Sequence, residues 1–307
     1  MAKGNISITT TSFGKEKAEP LDALQAAGYE YTLNPYGRKV EKEELLKLAA
    51  GAVGLIAGTE KIDAEVLNGI SHIKVISRCG VGMDNVDLKT AESLGIKVFN
   101  TPDAPTAPVA ELTIGLILAV LRRIPQSDQA IRAGRWSKQM GSLLSAKKVG
   151  IVGFGRIGQA VAHLLGEFGS SLYYYDPVNT DYSGNAMPLG IQELLEMVDI
   201  VTLHVPYCQD NRHFIDQKRL QLMKPGSVLV NCSRGGIVDE EALYEELKNG
   251  HLAGAAVDVF EQEPYNGPLK ELDNVVLTPH IGSYAKEARI RMEIESVQNL
   301  IKGLEET

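Results

Sequence analysis

Cysteine is scarce, positive charge is not in excess and no apolar run is long, and each shortage removes a class of protein. The three cysteines, Cys79, Cys208 and Cys232, are odd in number and far apart, which argues against a disulfide framework. None stands at metal-ligand spacing, so no metal site is expected. Lysine and arginine number 31 against 39 acidic residues, a net charge of −8. That balance argues against nucleic-acid binding by broad phosphate attraction. The longest apolar stretch, residues 112–121, is broken by Thr113 and falls short of the roughly 20 residues that span a bilayer. The first residues, Met1-Ala2-Lys3-Gly4-Asn5-Ile6, lack the apolar core of a signal peptide. A cytoplasmic protein with no membrane contact is expected.

What the chain does have is glycine, 30 of 307 residues, above the usual share of about 7%. That suits a fold with many tight strand–helix turns. The length gives a prior of two domains at about 150 residues each. Short apolar runs read as buried strands at 6–9, 53–57, 74–77 and 96–99, then at 148–152, 172–175, 200–205, 228–231, 254–258 and 275–278. Helix-period segments fall between them, at 15–27, 41–50, 64–69 and 87–94, then at 157–167, 191–197 and 240–248. Alternating β and α elements predict parallel sheets with helices on both faces, and two such series predict an α/β protein of two doubly wound, Rossmann-like domains. Pro102, Pro105 and Pro108 precede a helical segment over 109–121, since proline is tolerated where the first N–H groups lack partners. A last helical segment, 285–304, can return to the first series and make that domain discontinuous.

One loop carries a mechanism. The strand at 148–152 runs into Gly153-Phe154-Gly155-Arg156-Ile157-Gly158, and a helical pattern follows at once. In that context Gly153 permits the tight turn, Gly155 lets backbone approach a pyrophosphate, and Gly158 allows close helix–strand contact. The helix start offers unpaired N–H groups to phosphate. The next strand ends in Asp176, about 20 residues on, where a carboxylate accepts hydrogen bonds from the ribose hydroxyls of NAD and repels the 2′-phosphate of NADP. A strand-end aspartate can also simply cap a turn; the full pattern favours NAD.

Arg234, Glu263 and His280 each follow a strand-like run in the second series. Ligands of open α/β sheets bind outside the carboxyl ends of strands, so all three are expected on one rim. Reduction of a 2-keto acid needs a cation for the substrate carboxylate and carbonyl, which a guanidinium supplies. It also needs a proton donor for the developing alkoxide, a task suited to histidine. A neighbouring glutamate would orient that imidazole. Singly, an arginine before two glycines can serve just to cap a turn and a histidine after proline is often structural; their shared rim beside a dinucleotide loop is what raises the chemical reading.

Residues 153–158 with Asp176, the run Arg234-Gly235-Gly236-Ile237-Val238-Asp239, and residues 258–264 and 278–282 resemble the D-isomer-specific 2-hydroxyacid dehydrogenases. The run Arg78-Cys79-Gly80-Val81-Gly82-Met83-Asp84-Asn85-Val86-Asp87 extends the resemblance over nearly the whole chain. It implies Arg234, Glu263 and His280 as catalytic arginine, orienting acid and proton donor. Arg156, Ile157, Asp176, Cys232 and Asp258 would line the NAD site beside the glycines. Arg78, with the amides of Val81 and Gly82, would bind substrate. It further implies a substrate domain over 1–100 and 284–307, a dinucleotide-binding domain over 101–283, a cleft between them and a homodimer formed through the nucleotide domain.

Within the family the segment around Arg78 is most similar to 3-phosphoglycerate dehydrogenases of serine biosynthesis, which makes 3-phosphoglycerate the first expected substrate. Where those enzymes carry a further arginine, this chain reads Leu55-Ile56-Ala57-Gly58-Thr59. Ending at Thr307, it is expected to lack serine feedback. A glyoxylate or hydroxypyruvate reductase is the alternative within the class. An NAD(H)-sensing corepressor-like protein is the alternative outside it, and a methyltransferase would leave Arg234, Glu263 and His280 unexplained.

Overall fold

The computed structural model describes residues 2–179, 182 and 184–306; the terminal Met1 and Thr307 of the sequence reading lie outside them. The chain divides into two compact units, one of residues 1–105 with 283–307, the other of residues 106–282.

The first unit opens with β1 (Gly4–Ile8), α1 (Glu19–Ala26), β2 (Tyr29–Leu33), α2 (Lys42–Ala49), β3 (Ala52–Ala57), α3 (Ala64–Gly69), β4 (Val75–Arg78), α4 (Leu88–Ser93) and β5 (Lys97–Phe99). The strands form a parallel sheet in the order β2-β1-β3-β4-β5. Strand side chains alternate between faces, and the alternation is visible in β3. Leu55 and Ala57 join Leu45, Val66 and Ala91 on one face, while Ile56 joins Ile6, Ile8 and Leu24 on the other. The helix starts are set locally: Asp63 and Asp87 accept the N–H of Val66 and Thr90 at 3.1 and 3.0 Å, replacing bonds that a first turn cannot make internally.

The second unit runs α5 (Thr106–Leu121), α6 (Ile124–Arg132), β6 (Lys148–Val152), α7 (Arg156–Glu167), β7 (Ser171–Tyr175), β8 (Ala186–Pro188), α8 (Ile191–Met197), β9 (Ile200–Leu203), α9 (Gln217–Leu222), β10 (Val228–Asn231), α10 (Glu240–Lys248), β11 (Gly254–Val257) and β12 (Val275–Leu277). Its seven strands are parallel, in the order β12-β11-β10-β9-β6-β7-β8. Strand order reverses between β6 and β9, and the carboxyl ends of such a pair frame the crevice where doubly wound sheets take ligands. Helices α5 and α7 cover one face through Ile114, Ile117, Val161 and Leu165; α8, α9 and α10 cover the other through Leu194, Leu220 and Leu243.

The last helix, α11 (Lys286–Glu305), lies on the sheet of the first unit. Gly303 makes the approach possible: a Cβ there would sit 2.7 Å from Phe99 and 3.0 Å from Val75. Met292, Val297 and Leu300 fill the same apolar layer as Ile6, Ile56 and Val75.

Candidate active site

Residues 153–158 connect β6 to α7 at the strand-order reversal. Gly153 has φ of +89°, and a Cβ on it would stand 2.5 Å from the carbonyl oxygen of His204 at the end of β9. Gly158 lies on the Gly153 carbonyl so closely that no side chain fits. Gly155 differs: a Cβ there would meet nothing within 4 Å. The loop therefore has two glycines required by packing and one opening onto free space ahead of a twelve-residue helix, whose first N–H groups have no partner within the helix. That cradle fits a pyrophosphate.

Asp176, after β7, belongs to the same loop system. One carboxylate oxygen accepts the Phe154 N–H at 2.6 Å; the other accepts those of Val178 and Asn179, each at 2.8 Å. Burial raises its pKa, but the N–H donors of Asn179, Phe154 and Val178 outweigh that and hold the carboxyl below its usual range. It is thus anionic at neutral pH, as an acceptor for ribose hydroxyls must be.

The carboxyl ends of β10, β11 and β12 carry the other residues. Adjacent strands lie about 5 Å apart, which puts the β10 and β12 ends about 10 Å from each other on one rim. Asn231, the last residue of β10, shapes the turn presenting Arg234. Its Oδ1 accepts from the Ser233 N–H at 3.0 Å and hydroxyl at 2.7 Å, and its Nδ2 donates to the Arg234 carbonyl at 3.2 Å. Arg234 Nη1 donates to the Ser233 carbonyl at 2.8 Å. Gly235 rests against the Phe260 carbonyl with no room for a side chain, joining this turn to the one after β11.

Asp258 follows β11 and holds the His280 loop. Its Oδ1 accepts the Thr278 hydroxyl at 2.6 Å and the Ile281 N–H at 2.8 Å, and its Oδ2 accepts the Gly282 N–H at 2.9 Å. Its backbone carbonyl accepts the His280 N–H at 2.8 Å. Within this clamp His280 takes φ of +53°, a conformation rare outside glycine that persists where the surroundings enforce it. Its Nδ1 faces both oxygens of Glu263, at 2.9 and 3.0 Å. A carboxylate only accepts, so Nδ1 carries the proton and Nε2 is left to face away. Asp258 is buried, which raises its pKa against the opposing pull of the Thr278 hydroxyl and Ile281 N–H. Cys232, just past β10, is buried too, and its thiol is pushed up to about 12.

Arg78, Val81 and Gly82 lie past the carboxyl end of β4 in the first unit. Arg78 is buried, its Nε donating to Asn85 Oδ1 at 3.0 Å. The Val81 and Gly82 amides donate no hydrogen bond to any described residue. The loop after β3 holds Glu60, 3% exposed, which accepts the Thr9 hydroxyl and, at 3.0 and 3.1 Å, the Gly58 N–H. Sequence reasoning missed Asn231, Thr278 and Glu60. The signal for the first two was present, a polar side chain at a strand end ahead of each candidate residue.

Comparison with known proteins fits this geometry. The model for "D-isomer specific 2-hydroxyacid dehydrogenase, NAD binding domain" matches residues 114–282. A hydroxypyruvate reductase of Thermotoga maritima is 38% identical over 295 residues, covering 93% of this chain and 96% of its own. A D-3-phosphoglycerate dehydrogenase of Methanocaldococcus jannaschii is 43% identical over 273 residues, 85% of this chain but 52% of its own length. A crystal structure of a Thermus thermophilus protein superposes with a TM-score of 0.91 at 40% identity, over 98% of this chain and 97% of the other. The chain belongs to the D-isomer-specific 2-hydroxyacid dehydrogenases, NAD-binding oxidoreductases that act on CH–OH groups.

Proposed function

We propose that this protein interconverts a short, unphosphorylated D-2-hydroxy acid and its 2-keto acid, hydroxypyruvate and glyoxylate being the first substrates to test. The observation that carries the reading is His280, fixed by Asp258 and backed by both oxygens of Glu263. Bound NAD supplies the hydride acceptor and, when reduced, the hydride donor. With Nδ1–H donated to Glu263, His280 Nε2 takes the hydroxyl proton in oxidation and returns it to the alkoxide in reduction. Glu263 holds the ring and offsets the imidazolium charge. Arg234 pairs with the substrate carboxylate and polarises the carbonyl. Val81 and Gly82 present unpaired amides suited to a carboxylate, and Arg78 steadies their loop through Asn85. Glycines 153, 155 and 158, the N–H groups of Arg156 and Ile157, and Asp176 hold the dinucleotide; Cys232 and Asp258 close its site along β10 and β11.

Glu60 favours an unphosphorylated substrate. This buried carboxylate directly follows residues 55–59, where phosphoglycerate dehydrogenases carry a further arginine, and like charge disfavours a phosphate dianion. Oxidation of 3-phosphoglycerate toward serine is the second reading, favoured by Arg78 and by the Methanocaldococcus relative. Steady-state assays with NADH and glyoxylate, hydroxypyruvate and 3-phosphohydroxypyruvate decide between them. Higher kcat/KM for an unphosphorylated acid is expected; preference for the phosphorylated one would overturn this order, and no turnover would overturn the function. Arg234→Ala and His280→Ala are each expected to lower kcat/KM by at least about a hundredfold.

We further propose a homodimer formed through the second unit. Ile124 and Ile131 on α6, with Trp136, Met140 and Leu143 beyond it, form an exposed apolar strip, and a second copy of the chain is the partner that covers it. A cytoplasmic location is supported by three free cysteines and by the lack, among the described residues, of a helix long and apolar enough to cross a membrane.

A further inference from the structure

The loops after β9, β10 and β11 are neighbours on the carboxyl rim of the second sheet, and one residue joins all three. His213 closes the loop after β9. Its N–H donates to the Gly236 carbonyl at 2.7 Å; the Ile215 N–H donates to the Ile237 carbonyl at 2.9 Å and the Asp239 N–H to that of Ile215 at 3.0 Å. This backbone is thereby stitched to the turn that presents Arg234. The His213 ring crosses to the loop after β11, where Nε2 lies 2.7 Å from Glu261 Oε1. A carboxylate only accepts, so Nε2 carries the proton. Arg212 Nη2 reaches the other Glu261 oxygen at 3.3 Å, and Asp239 Oδ2 lies 3.7 Å from His213 Nδ1.

Exposed ion pairs are usually worth little, but two features set this one apart. The first is backbone conformation. His213 has φ of +51° and His280 of +53°, and Arg123 is the one other non-glycine residue of positive φ among the described residues. Such a conformation persists where the surroundings enforce it. Each of these histidines turns its ring to a carboxylate of the same short loop, His213 to Glu261 and His280 to Glu263. The second feature is crowded negative charge. Burial raises the pKa of Glu240 against the Glu261 N–H, which it accepts at 2.6 Å; the charges of Glu261 and Glu263 raise it further, and His213 opposes them. With Asp239, four carboxylates therefore share this corner, and His213 and Arg212 offset their repulsion. The same loop meets the arginine turn at one other point, where Gly235 rests on the Phe260 carbonyl. A single contact lets a loop pivot, and the His213–Glu261 contact stops that pivot.

We infer that His213 is a positioning residue: through Glu261 it fastens the loop that presents Glu263 to His280 onto the turn that presents Arg234. This rests on the proposed function. If the loop pivots, Glu263 leaves Nδ1, and the neutral His280 ring is free to carry its proton on either nitrogen. The form protonated on Nε2 has no lone pair there for the hydroxyl proton.

His213→Asn tests this, because asparagine tolerates the left-handed backbone and its amide stops one bond short of Glu261. With NADH and the keto acid that the wild type reduces fastest, kcat is expected to fall at least about tenfold while NADH affinity stays within about twofold. Unchanged kcat, or affinity that falls in step with it, overturns the proposal. E261A removes the contact from the other side and carries every arm if H213N does not fold. E261Q keeps an acceptor for the Nε2 proton and is expected to retain at least about threefold more kcat than E261A; equal loss overturns the contact as the cause. The double variant should be no slower than the slower single one, since both cut one contact, and losses that multiply overturn the proposal as well. A last arm needs no turnover. Proton–nitrogen correlation spectra of protein labelled at the histidine nitrogens read the His280 tautomer, its signals assigned by their loss in H280N. At about pH 8 the wild type is expected to hold the proton on Nδ1 and H213N to divide it between the two nitrogens. A wild type without that tautomer, or an unchanged His280 in the variant, overturns the positioning role. Should the wild type reduce no keto acid, the proposed function falls, and the spectra still decide on His213.

Discussion

Three hydrogen bonds to the Asp258 carboxylate come from Thr278, Ile281 and Gly282, flanking His280 on both sides. An asparagine would keep the shape but turn one acceptor into a donor facing N–H groups. Asp258→Asn is therefore expected to lower kcat/KM by about tenfold to a hundredfold, since a small displacement of His280 from the proton-transfer role proposed for it is costly; steady-state kinetics would show it, and unchanged kinetics would refute the clamp. His204 offers a separate test through pH. The residue is partly buried, its Nδ1 shut off from solvent and its Nε2 2.9 Å from the Thr202 hydroxyl, and burial lowers its pKa from 6.5 to about 3. The folded state thus keeps it neutral while the unfolded chain binds a proton, so stability falls as pH drops from 6.5 toward 3, by up to about 1.4 kcal/mol per unit. Denaturation of His204→Gln between pH 7 and 5 should show a shallower loss than the wild type. At this scale the candidates Arg234, Glu263 and His280 could be singled out because each stands in a run whose chemistry is local. Their supports were not: Asp258 and Thr278 are 20 residues apart, and no sequence pattern announces that they meet.

Helix α7 separates the two duties of its glycines. Gly158→Ala would push a methyl into the Gly153 carbonyl, so a lower melting temperature is expected together with weaker NADH binding. Gly155→Ala meets nothing; it should leave the melting temperature of the free protein within about 2 °C and still weaken NADH at least about tenfold, because the methyl takes space needed by the phosphates. Fluorescence titration with NADH beside thermal melts checks both, and equal behaviour of the two variants would refute the distinction. Among the elements, the central strands and long helices were plain in the sequence. Four were missed: β2, β8, α6 and α9. Both strands are at sheet edges, β2 with Glu30, Thr32 and Leu33 exposed and β8 only three residues ending in Pro188. Edge strands need no continuous apolar run, and they tolerate proline. Helix α6 turns Ile124 and Ile131 outward and buries only Ala130, while α9 has six residues and one buried leucine. Neither leaves the apolar stripe that periodicity detects.

For the whole molecule, the exposed strip with Trp136 and Met140, 84% and 93% exposed, makes a prediction about assembly. The wild type should sediment as a dimer, and Trp136→Glu with Met140→Glu as a monomer, since two carboxylates in an apolar contact are costly to desolvate. Sedimentation equilibrium decides; a monomeric wild type would refute the interface. Two parallel-sheet units were foreseeable from the double run of alternating elements. The seam was less exact: the second unit begins at Thr106 and ends at Gly282, and the cluster of Pro102, Pro105 and Pro108 marks the region of its start without fixing the residue.

The placement of α11 bears on synthesis at the ribosome. Residues 106–282 emerge as one uninterrupted stretch, whereas the sheet made first, holding Ile6, Ile56 and Val75, waits for Met292, Val297 and Leu300. Until α11 has been made, that early sheet has one oily side short of its cover, so products stalled or shortened before it would be prone to clump and to recruit chaperones.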